Sequence, residues 1–254
     1  MYSLWALGHK RKIQLTFLTI VTIAAVAYLS VILYKPPSCF DGTQNQDEVG
    51  VDCGGVCVPL CRSQTETLIT RWVMPFQVSP GWWSVLAYVE NPNQFAYAEK
   101  IPYQFEVFDI DGHLLKRRTG ETFINGEAVV PIFEGRIDVG NAVPQTATFE
   151  WVRDPEWVRS KQKYEVRISE QRTLTGASGM EIQAMIEDME TVPLKNVTVV
   201  AIVYNTRSNA IATSETRIDT LVPREKHKVI FAWPYPFSEP VSRVELLPRV
   251  PVQD

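Results

Sequence analysis

Four cysteines are the residues of this chain whose type and spacing most clearly indicate chemistry. They lie at Cys39, Cys53, Cys57 and Cys61, and none occurs in the rest of the chain. An even, clustered set predicts two disulfides formed in an oxidising compartment, because so short a segment cannot build a core. Three pairings are open. A zinc site of four thiolates is the competing interpretation, although zinc sites usually present CxxC pairs.

Five side chains between the first two cysteines could hold a metal ion. Asp41, Asn45, Asp47, Glu48 and Asp52 supply the hard oxygen atoms that calcium prefers. Their spacing differs from that of an EF-hand. A calcium site in this segment is therefore one interpretation, and an acidic, solvated loop with Asx turns is the other. We expect no other cofactor.

The cysteine segment resembles a short motif of bacterial surface proteins, C-x-D-G-x-x-N-x-x-E-x-G-x-D-C-G-G-x-C-x-x-C. The matching residues are Cys39, Asp41, Gly42, Asn45, Glu48, Gly50, Asp52, Cys53, Gly54, Gly55 and Cys57. The last gap, which ends at Cys61, is one residue longer here. The resemblance implies a location at the cell surface and does not imply an activity.

An uncharged stretch predicts a membrane anchor before the cysteines. Residues 13–34 contain no charge, Pro or Gly, and a helix of that length crosses a hydrocarbon core of about 30 Å. The alternative is a cleavable signal peptide, whose apolar region would be shorter. The net charge of the chain is −4. Residues 1–12 carry a charge of +3, so residues 35–254 together carry a charge of −7. The positive-inside rule then predicts a single-pass protein with residues 1–12 in the cytoplasm and residues 35–254 outside.

The rest of the chain predicts a mainly β protein with two tandem immunoglobulin-like antiparallel β-sandwiches. Short runs rich in Val, Ile, Phe, Tyr and Trp alternate with turn residues. We expect a cysteine-rich stalk at 35–67, a first sandwich at 68–152, a linker at 153–163 and a second sandwich at 164–251.

An internal repeat supports two sandwiches of similar design. Residues 83–89 match residues 180–186, and residues 101–109 match residues 197–205. Both units also contain an aromatic-x-Trp sequence, at residues 149–151 and 231–233. We expect these two sequences to form the equivalent last strand of each unit.

The first repeat unit resembles the FxLYD domain and the related late-embryogenesis-abundant type 2 sandwiches. Phe105 and Asp109 match the ends of the FxLYD signature, and Val107 and Phe108 replace its Leu and Tyr. Tyr204 is the strict match in the second unit. The resemblance covers residues 68–251. It implies an immunoglobulin-like sandwich outside a bacterial or archaeal membrane, without catalytic residues.

Tryptophan side chains are the remaining candidates for an interaction site. Trp83, Trp151 and Trp233 are expected in the sandwich cores. Trp82 has the opposite strand parity to Trp83, so we expect Trp82 and also Trp157 to be exposed contact residues.

The sequence contains no recognisable catalytic motif, and its histidines are not spaced as metal ligands. We therefore expect no catalytic residue, and an acidic body makes nucleic acid an improbable partner. The expected function is a non-catalytic, single-pass surface protein whose sandwiches bind an unknown envelope protein or act as a spacer, in an assembly of the secretion or pilus type. The alternative is a carbohydrate-binding ectodomain or an ectoenzyme.

Overall fold

The computed structural model of the chain describes residues 2–34, 36–160, 163–176, 179–237 and 239–253. The protein is mainly β, with antiparallel sheets, one apolar N-terminal helix and two disulfides near the N-terminal region. These features confirm the predicted fold class at that level. The chain divides into two compact units, residues 1–56 and residues 57–254.

Helix α1 spans Tyr2–Leu33, so it begins well before the uncharged stretch. Its part from Lys12 to Leu33 is long and apolar enough to cross a membrane, and none of it is buried against the protein. The hydroxyl groups of Thr16, Thr22 and Ser30 donate hydrogen bonds to backbone carbonyls of the preceding turn. Helix α1 is therefore a candidate membrane span whose polar groups are satisfied locally.

Unit 1 ends in the loop that contains the first two cysteines, and unit 2 contains the strands. A short 3-10 helix, Arg62–Gln64, precedes them. The strands are β1 (Ile69–Ser79), β2 (Trp82–Glu90), β3 (Ala96–Phe108), β4 (Leu114–Ile124), β5 (Val129–Asp138), β6 (Thr146–Trp151), β7 (Val158–Arg159), β8 (Val166–Gly176), β9 (Gly179–Asp188), β10 (Leu194–Asn205), β11 (Ala210–Leu221), β12 (Lys226–Trp233) and β13 (Val241–Arg249).

Each half of unit 2 contains two sheets, of three strands each except for the sheet of β3, to which β7 adds a fourth strand. In the first half, β1-β2-β5 form the inner sheet and β4-β3-β6 the outer sheet. In the second half, β11-β10-β13 form the inner sheet and β12-β9-β8 the outer sheet. The second half thus repeats the topology of the first, with β8 equivalent to β1 and β13 equivalent to β6. The two aromatic-x-Trp sequences lie in β6 and β12, which are not equivalent, so that part of the predicted repeat is wrong.

A separate core fills each half because alternate residues of facing strands point inward. Val85, Phe105 and Ile132 belong to the core of the first half. Ile182 and Phe231 belong to the core of the second half. Trp83 and Trp233 are buried in these cores as predicted, while Trp151 is half-buried at the edge of the first core.

The segment predicted as a linker, residues 153–163, is bound in part to the first half. Within it, β7 pairs with the first residues of β3, and the backbone N–H of Leu60 donates to the carbonyl of Trp157 at 2.8 Å. Lys161 and Gln162 of this segment lie outside the described residues, as does Lys35.

Candidate functional site

The two halves of unit 2 are joined by a third apolar cluster, which we call the seam. It contains Phe76 and Leu86 from the inner sheet of the first half, and Val200, Ile202 and Tyr204 from the inner sheet of the second half. Burying a side chain such as Leu86 or Ile202 stabilises a fold by about 1.5–3 kcal/mol. The two inner sheets therefore pack face to face, and the halves form four stacked layers.

The seam exists because β10 is apolar on both faces and β2 places Leu86 opposite it. In β10 the inward residues, such as Val199 and Val203, lie in the core of the second half, while Val200 and Ile202 lie in the seam. An antiparallel strand with one solvated face alternates apolar and polar residues, whereas a strand buried on both faces is continuously apolar. The unbroken run from Val199 to Val203 was therefore the sequence signal for the seam, which our sequence analysis missed.

Polar groups cover one edge of the seam. The hydroxyl of Tyr204 donates to Glu245 at 2.9 Å, and the hydroxyl of Tyr88, across the seam, lies 3.5 Å from the same carboxylate. The guanidinium of Arg243 stands 4.0 Å from the centre of the Tyr204 ring. Burial, reinforced by the negative charge of Glu245, raises the pKa of both tyrosines. Trp72 stacks on Tyr88 at 5.2 Å and continues the aromatic contact.

A buried arginine crosses between the halves elsewhere. Arg249 of β13 donates to the hydroxyl of Thr122 at 2.8 Å and to the carbonyl of Phe123 at 2.6 Å, and its guanidinium lies 4.5 Å from the Phe123 ring centre. The side-chain amide of Asn125 donates to the carbonyl of Val250 at 3.1 Å. Burial lowers the pKa of Arg249. These directional bonds fix the orientation of one half against the other.

The carboxyl group of Glu127, which the charge of Arg249 influences, is a weaker acid than an ordinary glutamate. Burial raises the pKa of Glu127 to about 7, although the positive charge of Arg249 opposes the shift. The side-chain amide of Asn125 donates to Glu127 at 3.3 Å. Protonation of Glu127 therefore changes the charge at this junction near neutral pH.

The two predicted contact tryptophans differ in exposure. Trp82 is 46% exposed, as predicted. Trp157 is only 8% exposed and belongs to the core of the first half. The prediction of an exposed Trp157 is wrong, because β7 and the pairing of Leu60 with its carbonyl hold this segment against the first half.

All four cysteines, Cys39, Cys53, Cys57 and Cys61, are disulfide-bonded. This confirms the predicted disulfides and excludes the interpretation as a zinc site, because a thiolate ligand must be free of a disulfide.

The acidic loop uses its carboxylates to hold its own backbone. Asp52 accepts hydrogen bonds from the N–H groups of Asp41 and Gly42, each at 2.9 Å. The buried Glu48 accepts from the N–H groups of Asn45 at 3.1 Å and Asp52 at 3.3 Å. Such bonds make the acids structural parts of the loop. Asp41 adds an Asx turn, because its carboxylate accepts from the N–H of Thr43 at 2.9 Å.

Several of the five predicted calcium ligands thus already accept hydrogen bonds from N–H groups of the loop. Asp41 also accepts from the side-chain amide of Asn45 at 2.9 Å. Among the described residues, no three of Asp41, Asp47, Glu48 and Asp52 bring carboxylate oxygens together as a group of metal ligands. Calcium binding by this loop stays a prediction.

Asp109, Asp111 and His113 form an exposed group whose ligand atoms lie within 4.8 Å of one another. Asp109 already accepts hydrogen bonds from the N–H groups of Asp111 at 3.0 Å and His113 at 2.8 Å. These bonds close the turn between β3 and β4, and they lower the pKa of Asp109. The group therefore has a sufficient structural explanation.

The described fold and seam define a mainly β protein with a candidate N-terminal span, a disulfide-bonded segment and two fused β halves. Comparison of the sequence with protein-family models and with curated proteins gives no match.

Proposed function

We propose that this chain is a non-catalytic, single-pass membrane protein whose residues 35–254 lie outside the cytoplasm and whose unit 2 acts as a rigid interaction or spacer module. The apolar helix from Lys12 to Leu33, followed directly by disulfides, is the observation that carries the proposal. Disulfides persist in oxidising compartments, so they favour an extracytoplasmic location. Lys10, Arg11 and Lys12 favour the same orientation through the positive-inside rule.

The seam is what makes the proposed module rigid. Two domains joined only by a linker would move independently, whereas Leu86 and Ile202 bury apolar surface between the halves and Arg249 adds directional bonds. A rigid body of this kind suits a protein that presents a surface of fixed shape to a partner. We propose an envelope assembly of the secretion or pilus type as its setting, and an unknown envelope protein as its partner. The FxLYD-like family, with its immunoglobulin-like sandwiches, is part of the same proposal.

Orientation is tested by protease digestion of the full-length chain in spheroplasts, whose cytoplasmic membrane is intact, with a tag at the C-terminus. We expect digestion of the body without lysis, an intact mass that includes residues 1–34, and no alkylation of cysteines before reduction. A mass that begins after a cleavage site would support the signal-peptide alternative. A body that is digested only after lysis would contradict the proposal.

A charge variant tests the physical reason for the orientation. Replacing Lys10, Arg11 and Lys12 together by Gln removes the cytoplasmic positive charge, so a mixture of orientations is expected. The matched control replaces three cations far from the helix, Arg224, Lys226 and Lys228, by Gln and should keep the wild-type orientation. Equal behaviour of the two triple variants would count against the positive-inside argument.

A further inference from the structure

A groove beside the seam is lined by residues from all four sheets. Its cavity measures about 610 Å³, which falls within the roughly 300–1,000 Å³ of small-molecule sites. A second cavity of about 400 Å³ shares Val78 and Trp233 with it. The two cavities therefore adjoin and form an elongated groove.

A buried hydroxyl group without a partner lines this groove. Ser84 lies on the seam side of β2 and is only 1% exposed, and its Oγ has no hydrogen-bond partner among the described residues. A buried hydroxyl without a partner lowers stability, so its presence calls for a reason. A ligand in the groove that supplies the missing partner, directly or through water, is such a reason.

The strand opposite Ser84 is irregular at this point. Two residues of β5, Gly135 and Arg136, stand opposite Ser84 where a regular ladder has one. Arg136 has a φ of 54°, in the left-handed region. Bulges and left-handed non-glycine residues are frequent beside binding sites, where they reorient side chains.

Charged groups of both signs line the same cavity as Ser84. Glu134 accepts a hydrogen bond from the hydroxyl of Tyr103 at 2.8 Å, and the Nε of Arg118 lies 3.8 Å from its other oxygen. Glu215 enters from the second half, and desolvation raises its pKa although the positive charge of Arg249 opposes the shift. The cavity lining itself contains two arginines, Arg118 and Arg136, and two carboxylates, so it suits a ligand without net charge.

Aromatic rings complete the lining. Phe133 lines the larger cavity, and Tyr235, which is 55% exposed, lines the smaller one together with Phe237. Trp233 borders both cavities but is only 5% exposed, so the other three rings are the ones that a ligand can contact. Aromatic faces beside carboxylate and hydroxyl groups match a ligand that carries both apolar faces and hydroxyl groups.

We propose that this groove binds a neutral oligosaccharide. The carboxylates would accept hydrogen bonds from sugar hydroxyls, Ser84 would exchange a hydrogen bond with the sugar or a bridging water, and the rings would contact the apolar sugar faces. This inference goes beyond the proposed anchoring and spacing function and does not depend on membrane orientation.

The test uses the full-length protein in phospholipid nanodiscs, which avoid the sugar headgroups of common detergents. Calorimetric titration is carried out with cellohexaose and with the hexamer of N-acetylglucosamine. Glu215→Gln is expected to weaken binding by about tenfold or more, because a hydrogen bond to a charged acceptor is lost. Asp219→Asn, an exposed acid of the same strand outside the groove, should leave binding unchanged.

Ser84→Ala separates a ligand role from a structural role. Removing an unpartnered hydroxyl should leave the midpoint of urea unfolding unchanged or raise it, yet weaken sugar binding by about threefold or more. The proposal is overturned if neither hexasaccharide binds at millimolar concentration, or if the two groove variants bind as the wild type does. Binding of hexa-alanine without binding of either sugar would also overturn it, in favour of a peptide groove.

Discussion

The two halves of unit 2 have the same topology, but the sheets that they place in the seam are not equivalent. In the first half the sheet that contains β2 faces the seam, whereas in the second half the seam sheet contains β10, which is equivalent to β3. The contact is therefore head to tail, with two different surfaces meeting. The outward face of the β4-β3-β6 sheet and that of the β12-β9-β8 sheet are equivalent to the two surfaces that form the seam.

Each sheet that faces the seam has an equivalent sheet in the other half that faces outward. The residues at equivalent positions of the two sheets explain why only the first is buried. Leu86 of β2 lies in the seam, and its equivalent in β9 is Gln183. Ile202 of β10 lies in the seam, and its equivalent in β3 is Glu106. Glu106 is instead held by Arg117, whose Nη2 lies 2.6 Å from its carboxylate. The outer faces thus stay solvated because their central positions are polar.

The polar residues on the outer faces limit the growth of this head-to-tail stack. A contact between two unlike surfaces leaves a free surface of each kind and can continue into a filament. Polar residues such as Gln104, Glu106 and Gln183 on the free faces oppose the addition of a further layer. The stack therefore contains two halves, and its continuation depends on a small number of side chains.

We expect the greatest loss of stability from a substitution that gives the seam a polar residue of the kind found on the outer face. Ile202→Glu places a carboxylate in an apolar cluster, and we expect a loss of about 4 kcal/mol or more in the free energy of unfolding. The measurement is urea denaturation followed by tryptophan fluorescence. Glu106→Ile, the reverse change at the equivalent position, should alter stability by no more than about 1 kcal/mol, because it removes an exposed ion pair. Similar losses in the two variants would disprove the assigned seam.

A smaller effect concerns pH at the junction of the halves. Burial holds the pKa of Glu127 at about 7, above its ordinary value of 4.5, so the folded state favours the protonated form. The resulting stability is present below pH 4.5 and is lost as the pH rises through 7. We expect the free energy of unfolding to fall by roughly 1–3 kcal/mol between pH 5 and pH 8. Urea titrations at several pH values should show a shallower fall for Glu127→Gln. An equal slope would show that Glu127 ionises as freely in the folded state as in the unfolded chain.

The smallest effect on stability is expected from a double change on the outer face. Gln104→Val with Glu106→Ile gives β3 the apolar outward positions that its equivalent β10 has at Val200 and Ile202. We expect about 1 kcal/mol or less in stability, but a new tendency to self-associate, because an exposed apolar strip is created. Light scattering during size-exclusion chromatography measures it. A strictly monomeric double variant would show that polar side chains on this face are not what limits the stack.

Much of the chain could be interpreted from residues that are close in sequence. The uncharged run before Tyr34, the cysteine cluster and the strand-turn alternation each predicted an element that the structure contains. The repeat between residues 83–89 and 180–186 placed β2 and β9 in equivalent positions. Trp157 was misjudged because its burial depends on pairing with Leu60, almost 100 residues earlier.

The candidate site was harder to predict because its parts come from distant strands. The carboxylates of Glu134 and Glu215, the hydroxyl of Ser84 and the ring of Trp233 meet only after the halves have stacked. Each residue alone is an ordinary strand residue, and no local motif connects them.

The amino-acid sequence alone is sufficient to predict the local features of this protein: an apolar helix, a disulfide-bonded segment and β strands in two similar sets. These follow from hydrophobic periodicity, chain charge and thiol chemistry, which act over a few residues. Which faces of those strands meet depends on contacts that form only in the folded protein. The seam and its groove depend on the matching of two surfaces, such as those around Leu86 and Ile202, that are more than a hundred residues apart in the chain.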